Sequence, residues 1–428
     1  MASTGSSFSA AIPDADSART DIVVGLTSHN DAETIVAVTT AVRASLAGRF
    51  AGVASRIVLA DAGSTDDTAA RARAALEGTG GLIEVATPRA AAELLDMPYH
   101  GVQGRARALR AILTTARDLG ARACVAIDAG APTMAPQLVE SLTGSILHDD
   151  FDFVLPFYRR HPYEGALTKG VVYPVFRSLY GVRIRQPAGG EFACSSRLLP
   201  RLLDEDFWDQ EGVRVGIDLW LTAAAVSDDF KIAEAALGVR AHRVREGDAL
   251  DLGTTMSQVV GALFADLESR ADTWQRVRGS KPVQRFGELA PASAAQGSVV
   301  DPERLMESYR LGYRELRDIW TWVLPPKTIV ELGRLINAPA ARFQIDDELW
   351  ARIIYDFALG FRMRVLARDH LLRSLVPLYL GWFASYILQV RDLPPDAVDE
   401  RVGRLGAAFE AEKPYLIARW RWPERLRT

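Results

Sequence analysis

The first part of the chain alternates between short apolar runs and longer segments with helical spacing. Four compact runs rich in Val, Ile, Leu and Ala predict buried strands, at residues 22–26, 56–60, 82–85 and 122–127. Segments between them predict helices, at residues 32–46 and 104–119. Because strands that alternate with helices at this spacing form βαβ units, the pattern predicts an α/β fold with a mostly parallel sheet flanked by helices.

The pattern changes after residue 128. Further strands are predicted at residues 151–157 and 236–239, and an apolar helix at residues 215–226. Residues 276–300 are rich in Ser, Gly, Pro, Gln and Ala, which is typical of a linker, and helical periodicity dominates from Pro302 onward. We therefore predict four segments: a flexible N-terminal tail at 1–19, an α/β domain at 20–275, a linker at 276–300 and an all-helical C-terminal domain at 301–428.

Composition narrows the class of protein. The chain has 428 residues, a formal net charge of −4 and 24% charged residues, so no overall basic field favours nucleic acid as a partner. Its two cysteines, Cys124 and Cys194, lie in apolar segments and form no CxxC motif, which fits a reducing cytoplasm. Residues 375–390 are strongly apolar but short for a membrane span and contain Pro377, so a buried helix is the better prediction.

Polar residues follow three of the predicted strands. Asp128 ends an apolar run, and residues 27–31 and 61–68 form Ser-, Asn- or Gly-bearing loops after two others. Ligands of open α/β sheets bind beyond the carboxyl ends of the strands, and such loops approach phosphates closely. Neither loop has GxGxxG spacing or a Walker lysine. The alternative interpretation of Asp128 is a turn-forming residue that caps the next helix.

Two basic segments complete the candidate chemistry. Arg105 and Arg107 stand on the first turns of the predicted helix at 104–119, and Arg240, His242 and Arg243 follow the strand at 236–239. Arginine forks suit phosphate and carboxylate, and neutral imidazole suits a metal ion. The alternative is a solvated surface, which is the usual place for such an arginine pair on a helix.

Taken together, the motifs resemble those of retaining GT-A-fold glycosyltransferases, in the group of the mannosylglycerate, glucosylglycerate and glucosyl-3-phosphoglycerate synthases. The matching motifs are residues 61–68 (DAGSTDDT), 128–129 (DA), 157–160 (FYRR), 186–191 (QPAGGE), 216–218 (GID), 237–243 (LGVRAHR) and 343–350 (FQIDDELW). The resemblance implies a Rossmann-like GT-A catalytic domain at 20–275, followed by the helical domain.

The resemblance also implies a role for individual positions. The implied donor nucleotide-sugar site comprises Leu26, Ser28, Asn30, Asp61, Arg105, Asp128, Gly189 and Gly190. The implied catalytic residues are Glu191, Asp218 and Arg240, and the implied acceptor ligands are Arg160 and Thr168. Asp128, as the first residue of a DxD motif, and His242 are the implied metal ligands.

The implied reaction is transfer of glucose or mannose, with retention of configuration, from a nucleoside diphosphate to a small carboxylated acceptor such as glycerate. A divalent cation, Mg²⁺ or Mn²⁺, and basic residues would assist departure of the diphosphate. The implied protein is cytoplasmic and homodimeric, and its partners are small molecules rather than nucleic acid or a membrane.

The chain departs from the family pattern at three positions. Gly130 stands where the second DxD aspartate is expected, Arg105 replaces a lysine, and Ala188 replaces a leucine. Glycine offers no side-chain ligand, so the metal should be held less tightly. Two alternatives follow: a degenerate relative that binds nucleotide sugar without catalysis, and, from the apolar segment 375–390, an enzyme acting on a larger lipid or polysaccharide acceptor.

Overall fold

The computed structural model describes residues 20–77, 81–87, 104–130, 137–204, 208, 213–239, 252–288 and 300–422. Contacts divide the described residues into two compact units, each built from separate segments. The sheet unit draws on Met1–Tyr158, Ala188–Asp248 and Gln284–Leu289. The helical unit draws on Arg159–Pro187, Ala249–Val283 and Ala290–Thr428.

Within the described residues, the sheet has eight strands in the order β3-β2-β1-β4-β6-β5-β7-β8. Their bounds are β1 Ile22–Ser28, β2 Ser55–Asp61, β3 Leu82–Ala86, β4 Ala123–Asp128, β5 Phe153–Arg159, β6 Phe192–Ser195, β7 Ile232–Val239 and β8 Gln284–Phe286. Parallel pairing joins β1 to β2 and β4, β2 to β3, and β7 to β8, whereas β6 runs antiparallel to β4 and β5. The predicted α/β fold with a mostly parallel sheet is confirmed.

The α-helices are numbered in chain order through both units. They are α1 Ile35–Gly48, α2 Thr68–Leu76, α3 Arg105–Asp118, α4 Leu138–His148, α5 Tyr173–Tyr180, α6 Leu198–Leu203, α7 Val213–Ser227, α8 Leu252–Ser269, α9 Ala271–Trp274, α10 Pro302–Trp320, α11 Pro326–Arg334, α12 Asp347–Met363, α13 Arg368–Val390 and α14 Pro395–Arg421. A π-helical turn, Thr168–Val172, precedes α5, and a 3₁₀ turn, Ala340–Arg342, precedes α12.

The centre of the sheet is covered on both faces, which explains the continuous apolar runs of its parallel strands. Every residue of β1 is buried. Helix α3 packs so closely on β1 that a Cβ atom at Gly25 would lie 2.2 Å from Ile112 Cγ2. Glycine at this position therefore sets how near α3, and with it Arg105, approaches the middle of the sheet.

Two short strands differ from the sequence expectations. The four-residue β6 and the three-residue β8 are too short to show a hydrophobic period. Residues 284–286 form β8 inside the stretch predicted as a linker. The contact-based units are discontinuous in sequence, whereas the boundaries predicted at 275 and 300 are linear, and those boundaries stay a prediction. The predicted tail, residues 1–19, lies outside the described residues.

The helical unit confirms the helical pattern predicted from Pro302 onward. Helices α10 and α13 approach closely because glycines face bulky side chains: a Cβ at Gly312 would lie 2.2 Å from Pro377 Cβ, and one at Gly381 would lie 2.6 Å from Tyr309 Cδ2. The indole rings of Trp350 and Trp382 stack with their centroids 5.6 Å apart. These contacts bury Trp350 and Trp382 almost completely.

Helix α13 contains the apolar segment at 375–390. Among the described residues it is the one helix long and apolar enough to cross a bilayer, with a mean hydropathy of 1.4 over its most apolar window. Of that window, 67% is buried inside the protein, which is the pattern of a core helix.

Candidate active site

The loop after β2 is shaped by the carboxylate of Asp61. Asp61 Oδ2 accepts hydrogen bonds from the backbone N–H groups of Gly63, at 3.1 Å, and Ser64, at 2.9 Å. Asp61 Oδ1 accepts from the hydroxyls of Ser64 and of Ser28, the latter at 3.1 Å. Because a carboxylate has about four acceptor positions, these bonds occupy Asp61 in holding the loop. Ser28, its register partner on β1, is buried.

Asn30 joins the loop after β1 to the loop after β2. Its backbone has φ 53°, in the left-handed region that asparagine tolerates. Its N–H donates to Ser64 Oγ at 2.9 Å, and its side-chain Oδ1 accepts from the N–H of Thr65 at 2.8 Å. Asn30 is exposed at the carboxyl edge of the sheet. Asn30, Ser28 and Asp61, all predicted donor-site residues, therefore lie in one connected network.

Leu26, a predicted donor-site residue, lies in the apolar core of the sheet unit, and its role at the donor site stays a prediction. Its side chain has no exposed surface and packs in the apolar core among residues of β2 and β4, including Leu59 and Ile127. Along a strand the side chains alternate between faces, so Leu26 and the two residues beside it cannot share one environment. The sequence pattern marks Leu26 as apolar in either role, and only the packing distinguishes a core residue from a pocket residue.

Asp128 is the last residue of β4 and is 5% exposed. Its Oδ1 accepts a hydrogen bond from the N–H of Gly130 at 2.9 Å, so the turn-forming interpretation of Asp128 holds for this oxygen. Gly130 thus contributes its backbone N–H where the family pattern has a second carboxylate. The Asp128 carboxylate nevertheless remains at the strand end, where ligands of open α/β sheets bind.

The described residues offer few ligands for a metal ion. No group of three or more His, Cys, Asp or Glu side chains able to hold a cation occurs in the described part of the chain. Asp128 is the one predicted ligand within it, because His242, like Arg240, lies outside the described residues. Mg²⁺ is commonly held by one or two carboxylates together with substrate phosphates, and a single strand-end aspartate fits that mode.

Arg105, on the first turn of α3, is the most constrained charged group of the site and is 1% exposed. Its Nε and Nη2 donate to the two carboxylate oxygens of Asp218, at 2.9 and 2.8 Å. Its Nη1 donates to the hydroxyl of Thr27 at 3.0 Å, and Nη2 also donates to the carbonyl of Gly190. The guanidinium therefore joins α3, β1, α7 and the glycine segment before β6.

The charge of Arg105 is maintained in spite of its burial. Burial alone would lower the pKa of Arg105, but the charge of Asp218 and its hydrogen bonds outweigh this, with further contributions from Asp128 and Glu191, and the pKa is raised. Glu191 and Asp218 are themselves buried. Four of the predicted site residues therefore form one electrostatic cluster within the sheet unit.

The backbone conformation of the segment before β6 explains why glycine occurs there. Gly190 has φ 92°, a left-handed conformation that favours glycine, and its carbonyl oxygen accepts from Arg105. Gly189 is buried beside it. In α7, Gly216 breaks the helical geometry, with φ −107° and ψ 22°, two residues before Asp218. The left-handed conformation of Gly190 and the break in α7 at Gly216 thus accompany the approach of the Gly190 carbonyl and the Asp218 carboxylate to the same guanidinium.

The predicted acceptor residues lie in the helical unit. Arg160 follows β5, and Thr168 begins the π-helical turn Thr168–Val172. Single π-helical turns often occur at functional sites. Lys169, the next residue, donates from Nζ to the carbonyls of His161 and Pro162, both at 2.9 Å. Burial and the nearby charge of Arg160 lower the pKa of Lys169 to about 7.

Sequence reasoning missed two of these residues. Thr27 bridges the site through Arg105, and the signal that could have found it is its position at the carboxyl end of β1 beside Asp128, its register partner on β4. Lys169 carried only one signal, its place directly after Thr168.

The strand-end network, the buried cluster around Arg105 and the mostly parallel sheet with its antiparallel β6 are those of a GT-A fold. Comparison with known proteins identifies the family. The glucosyl-3-phosphoglycerate synthase of Mycolicibacterium smegmatis is 30% identical over 258 residues, covering 57% of this chain and 77% of that protein. The chain belongs to the glucosyl-3-phosphoglycerate synthase family.

A glucosyl-3-phosphoglycerate synthase of Mycobacterium tuberculosis is 32% identical over 231 residues, which cover 50% of this chain and 64% of that protein. The chain thus spans less than two thirds of the length of this relative. No family model matches the chain.

Two solved structures are similar. The M. tuberculosis enzyme in complex with Mn²⁺, UDP and glucosyl-3-phosphoglycerate is 27% identical, with a TM-score of 0.40 over 58% of this chain and 80% of that one. The mannosyl-3-phosphoglycerate synthase of Rubrobacter xylanophilus is 23% identical, with a TM-score of 0.42 over 59% of this chain and 75% of that one.

Proposed function

We propose that the protein is a retaining glycosyltransferase that moves glucose or mannose from a nucleoside diphosphate to glycerate or a phosphorylated glycerate. The observation that carries the proposal is the convergence of separated motifs on one guanidinium: Arg105 and Asp218 are 113 residues apart and form a bidentate ion pair. Family membership supports the reaction class, and the names of the relatives support the acceptor.

The donor would bind at the carboxyl edge of the sheet unit. The loops joined by Asn30 and Asp61 would face the nucleotide, and residues 189–191 would form the floor under the hexose. Arg105 donates to both carboxylate oxygens of Asp218 and so fixes the orientation of this carboxylate. A carboxylate is an acceptor-only group, and Asp218 would accept a hydrogen bond from a sugar hydroxyl. An aspartate held in this way is a hydroxyl ligand rather than a covalent nucleophile, which favours front-face attack by the acceptor.

A divalent cation would be held by Asp128 and His242 together with the donor diphosphate. When bound, it would neutralise charge that develops on the departing diphosphate. Arg240 would add positive charge from the same segment of chain as His242. Because Gly130 supplies no carboxylate, the protein contributes few ligands, and we expect weak binding of the cation in the absence of nucleotide.

The acceptor would bind to the segment at residues 160–169 of the helical unit. The guanidinium of Arg160 suits a carboxylate or phosphate, and the hydroxyl of Thr168 suits an acceptor hydroxyl. Lys169 fastens the carbonyls of His161 and Pro162, which follow Arg160 directly. We therefore assign Lys169 the role of keeping Arg160 and Thr168 on one rigid segment.

A donor-by-acceptor panel tests the proposal. UDP- and GDP-linked glucose and mannose are each combined with glycerate and 3-phosphoglycerate, with Mg²⁺, Mn²⁺ or EDTA, and the anomer is assigned by NMR. We expect one pair to give an α-linked product from an α-linked donor.

Asp128→Asn should reduce turnover by about 100-fold, because electrostatic stabilisation at the diphosphate is lost. Asp118→Asn, at an exposed ion pair, is the matched control and should leave turnover unchanged. Absence of turnover across the panel contradicts the proposal.

A second candidate function is a nucleotide-sugar-binding relative without catalysis. The observation that favours it is Gly130, which gives Asp128 a backbone N–H in place of a neighbouring carboxylate. Calorimetry that finds tight binding of UDP or GDP without metal, together with no turnover, would support it. Turnover gained in Gly130→Asp would show that the missing ligand limits the wild-type protein.

The cytoplasmic location and the homodimer remain proposals. Cell fractionation and light scattering test them directly. Binding to liposomes would instead favour the larger, lipid-linked acceptor suggested by residues 375–390.

A further inference from the structure

Arg105 is withdrawn from any ligand that the sheet unit could bind. The side chain is 1% exposed, and all three guanidinium nitrogens donate to protein acceptors: Asp218, Thr27 and Gly190. The contacts of Arg105 are those of a buried structural residue that holds neighbouring protein groups in place.

The groups that Arg105 holds are those proposed to surround the donor hexose. Gly190 belongs to the sugar floor, and its strained φ of 92° leaves its carbonyl directed at the guanidinium. Asp218 is the proposed hydroxyl ligand, and both of its oxygens are oriented by Arg105. Arg105 therefore orients residues that are proposed to contact the sugar. The loops proposed to face the nucleotide are held by the separate network of Asp61 and Asn30.

We propose that Arg105 is a positioning residue for the hexose of the donor, which sets the orientation of Asp218 and Gly190, and that it makes no contact with the nucleotide diphosphate. The proposal rests on the proposed function for the identity of the donor. Lysine cannot reproduce the interactions of Arg105, because its single ammonium group cannot donate at once to both oxygens of Asp218, to Thr27 and to Gly190.

The test compares binding of a nucleoside diphosphate with binding and turnover of the matching nucleotide sugar. In Arg105→Lys, the dissociation constant of UDP or GDP, measured by calorimetry, should change by less than about 3-fold. The value of kcat should fall by about 100-fold, because displacement of a reacting group by about 1 Å has this cost. The gain in affinity that the hexose adds to the nucleoside diphosphate should disappear. Arg117→Lys, at the exposed end of the same helix, is the matched control and should alter none of these values.

A second variant covers the case in which Arg105→Lys does not fold. Thr27→Val removes one acceptor of the guanidinium with little change in volume, and we expect a smaller loss of kcat, of about 3- to 10-fold, with unchanged affinity for the nucleoside diphosphate. Unchanged kcat and unchanged hexose affinity in the variant that folds would overturn the proposal. A parallel loss, of 10-fold or more, in affinity for UDP or GDP would also overturn it, because Arg105 would then be a diphosphate ligand.

The outcome is separable from failure of the proposed function. If the wild-type protein binds a nucleotide sugar but transfers no hexose, the reaction is wrong and the role of Arg105 is still read from the two dissociation constants. If the wild-type protein binds UDP-glucose and GDP-mannose no more tightly than UDP and GDP, no hexose site exists for Arg105 to organise, and the proposal fails.

Discussion

Each unit of the protein shields a positively charged side chain from solvent, and the pKa values of the two side chains shift in opposite directions. Arg105, in the sheet unit, is almost fully buried, faces Asp218, and has a raised pKa. Lys169, in the helical unit, is partly buried, donates to two carbonyl oxygens, and has a pKa lowered to about 7. The more deeply buried group keeps its charge more firmly. A guanidinium holds its proton more firmly than an ammonium in any environment. The opposite directions of the two pKa shifts follow from the surroundings: Asp218 outweighs burial and raises the pKa of Arg105, whereas burial and nearby Arg160 lower the pKa of Lys169.

Removal of that partner should have the largest effect. In Asp218→Ala, Arg105 keeps only the weaker influence of Asp128 and Glu191, and the free energy of unfolding should fall by about 3–5 kcal/mol, as for other buried pairs that lose one member. Urea unfolding measures the loss. Asp118→Ala removes an acid from an exposed pair and should change stability by less than about 1 kcal/mol. Equal effects of the two variants would contradict the distinction drawn for Arg105.

Loss of the ammonium of Lys169 should have an intermediate effect. In Lys169→Met the carbonyls of His161 and Pro162 lose their donor. At about pH 10, where the cost of burying the ammonium charge has largely vanished, we expect a loss of about 1–3 kcal/mol in the free energy of unfolding. The KM for the acceptor should rise as the segment bearing Arg160 loosens. Lys327→Met, at an exposed position of α11, is the matched control and should be nearly neutral. A stabilising effect of Lys169→Met would mean that the cost of burying the charge exceeds the value of its two hydrogen bonds.

Replacement of Gly190 tests the backbone held by Arg105. A Cβ atom at φ 92° forces an L residue into a left-handed conformation, so Gly190→Ala should lose about 1–2 kcal/mol. Gly144→Ala is the contrasting control, because Gly144 lies inside α4 with no atom within 4 Å of the added Cβ. That variant should gain about 0.4–1 kcal/mol from reduced freedom of the unfolded chain. A neutral Gly190→Ala would show that the segment can relax without loss of the Arg105 contact.

The last expected effect is a slope rather than a lost contact: stability should depend on pH, by at most about 1.4 kcal/mol per pH unit for one titrating group. The pKa of Lys169 is about 7 in the folded protein and near 10.5 in the unfolded chain. Between these values the unfolded chain binds more protons, so stability should rise as pH increases from about 7 toward 10, and the cost of the buried charge is fully present below 7. Burial also lowers the pKa of Lys413, to about 8, so Lys413 adds a slope of the same sign. Thermal melts of the wild-type protein and of Lys169→Met give the difference in slope, from which the contribution of Lys413 cancels. Identical slopes would mean that Lys169 does not titrate in this range.

Much of the architecture was predictable because it depends on local patterns. The runs at 22–26 and 122–127 are continuous and apolar because both faces of β1 and β4 are covered, and this is visible without knowledge of the neighbours. The same holds for the helical periodicity after Pro302. By contrast, β6 and β8 have too few residues to show a period, and their pairing is decided by the strands beside them.

The candidate site was predictable only in part. Motif positions such as Asp128 and residues 189–191 were found through resemblance, and the structure places them at or near the carboxyl edge of the sheet. The environments of Leu26 and Arg105 were not predictable, because an apolar residue suits a core or a pocket, and an arginine suits a phosphate or a buried aspartate. Thr27 carries no motif and is recognised only by what its hydroxyl contacts.

By itself the sequence determined the order of the longer strands and helices, the apolar stripes that bury them and the family to which the chain belongs, since each of these depends on residues that are close together in the chain. Tertiary structure decided which charges meet. The Arg105–Asp218 pair joins residues 113 positions apart, and the lowered pKa of Lys169 results from burial and from nearby Arg160. The physical reason is that electrostatic energies depend on distance and burial in three dimensions, which local periodicity does not encode.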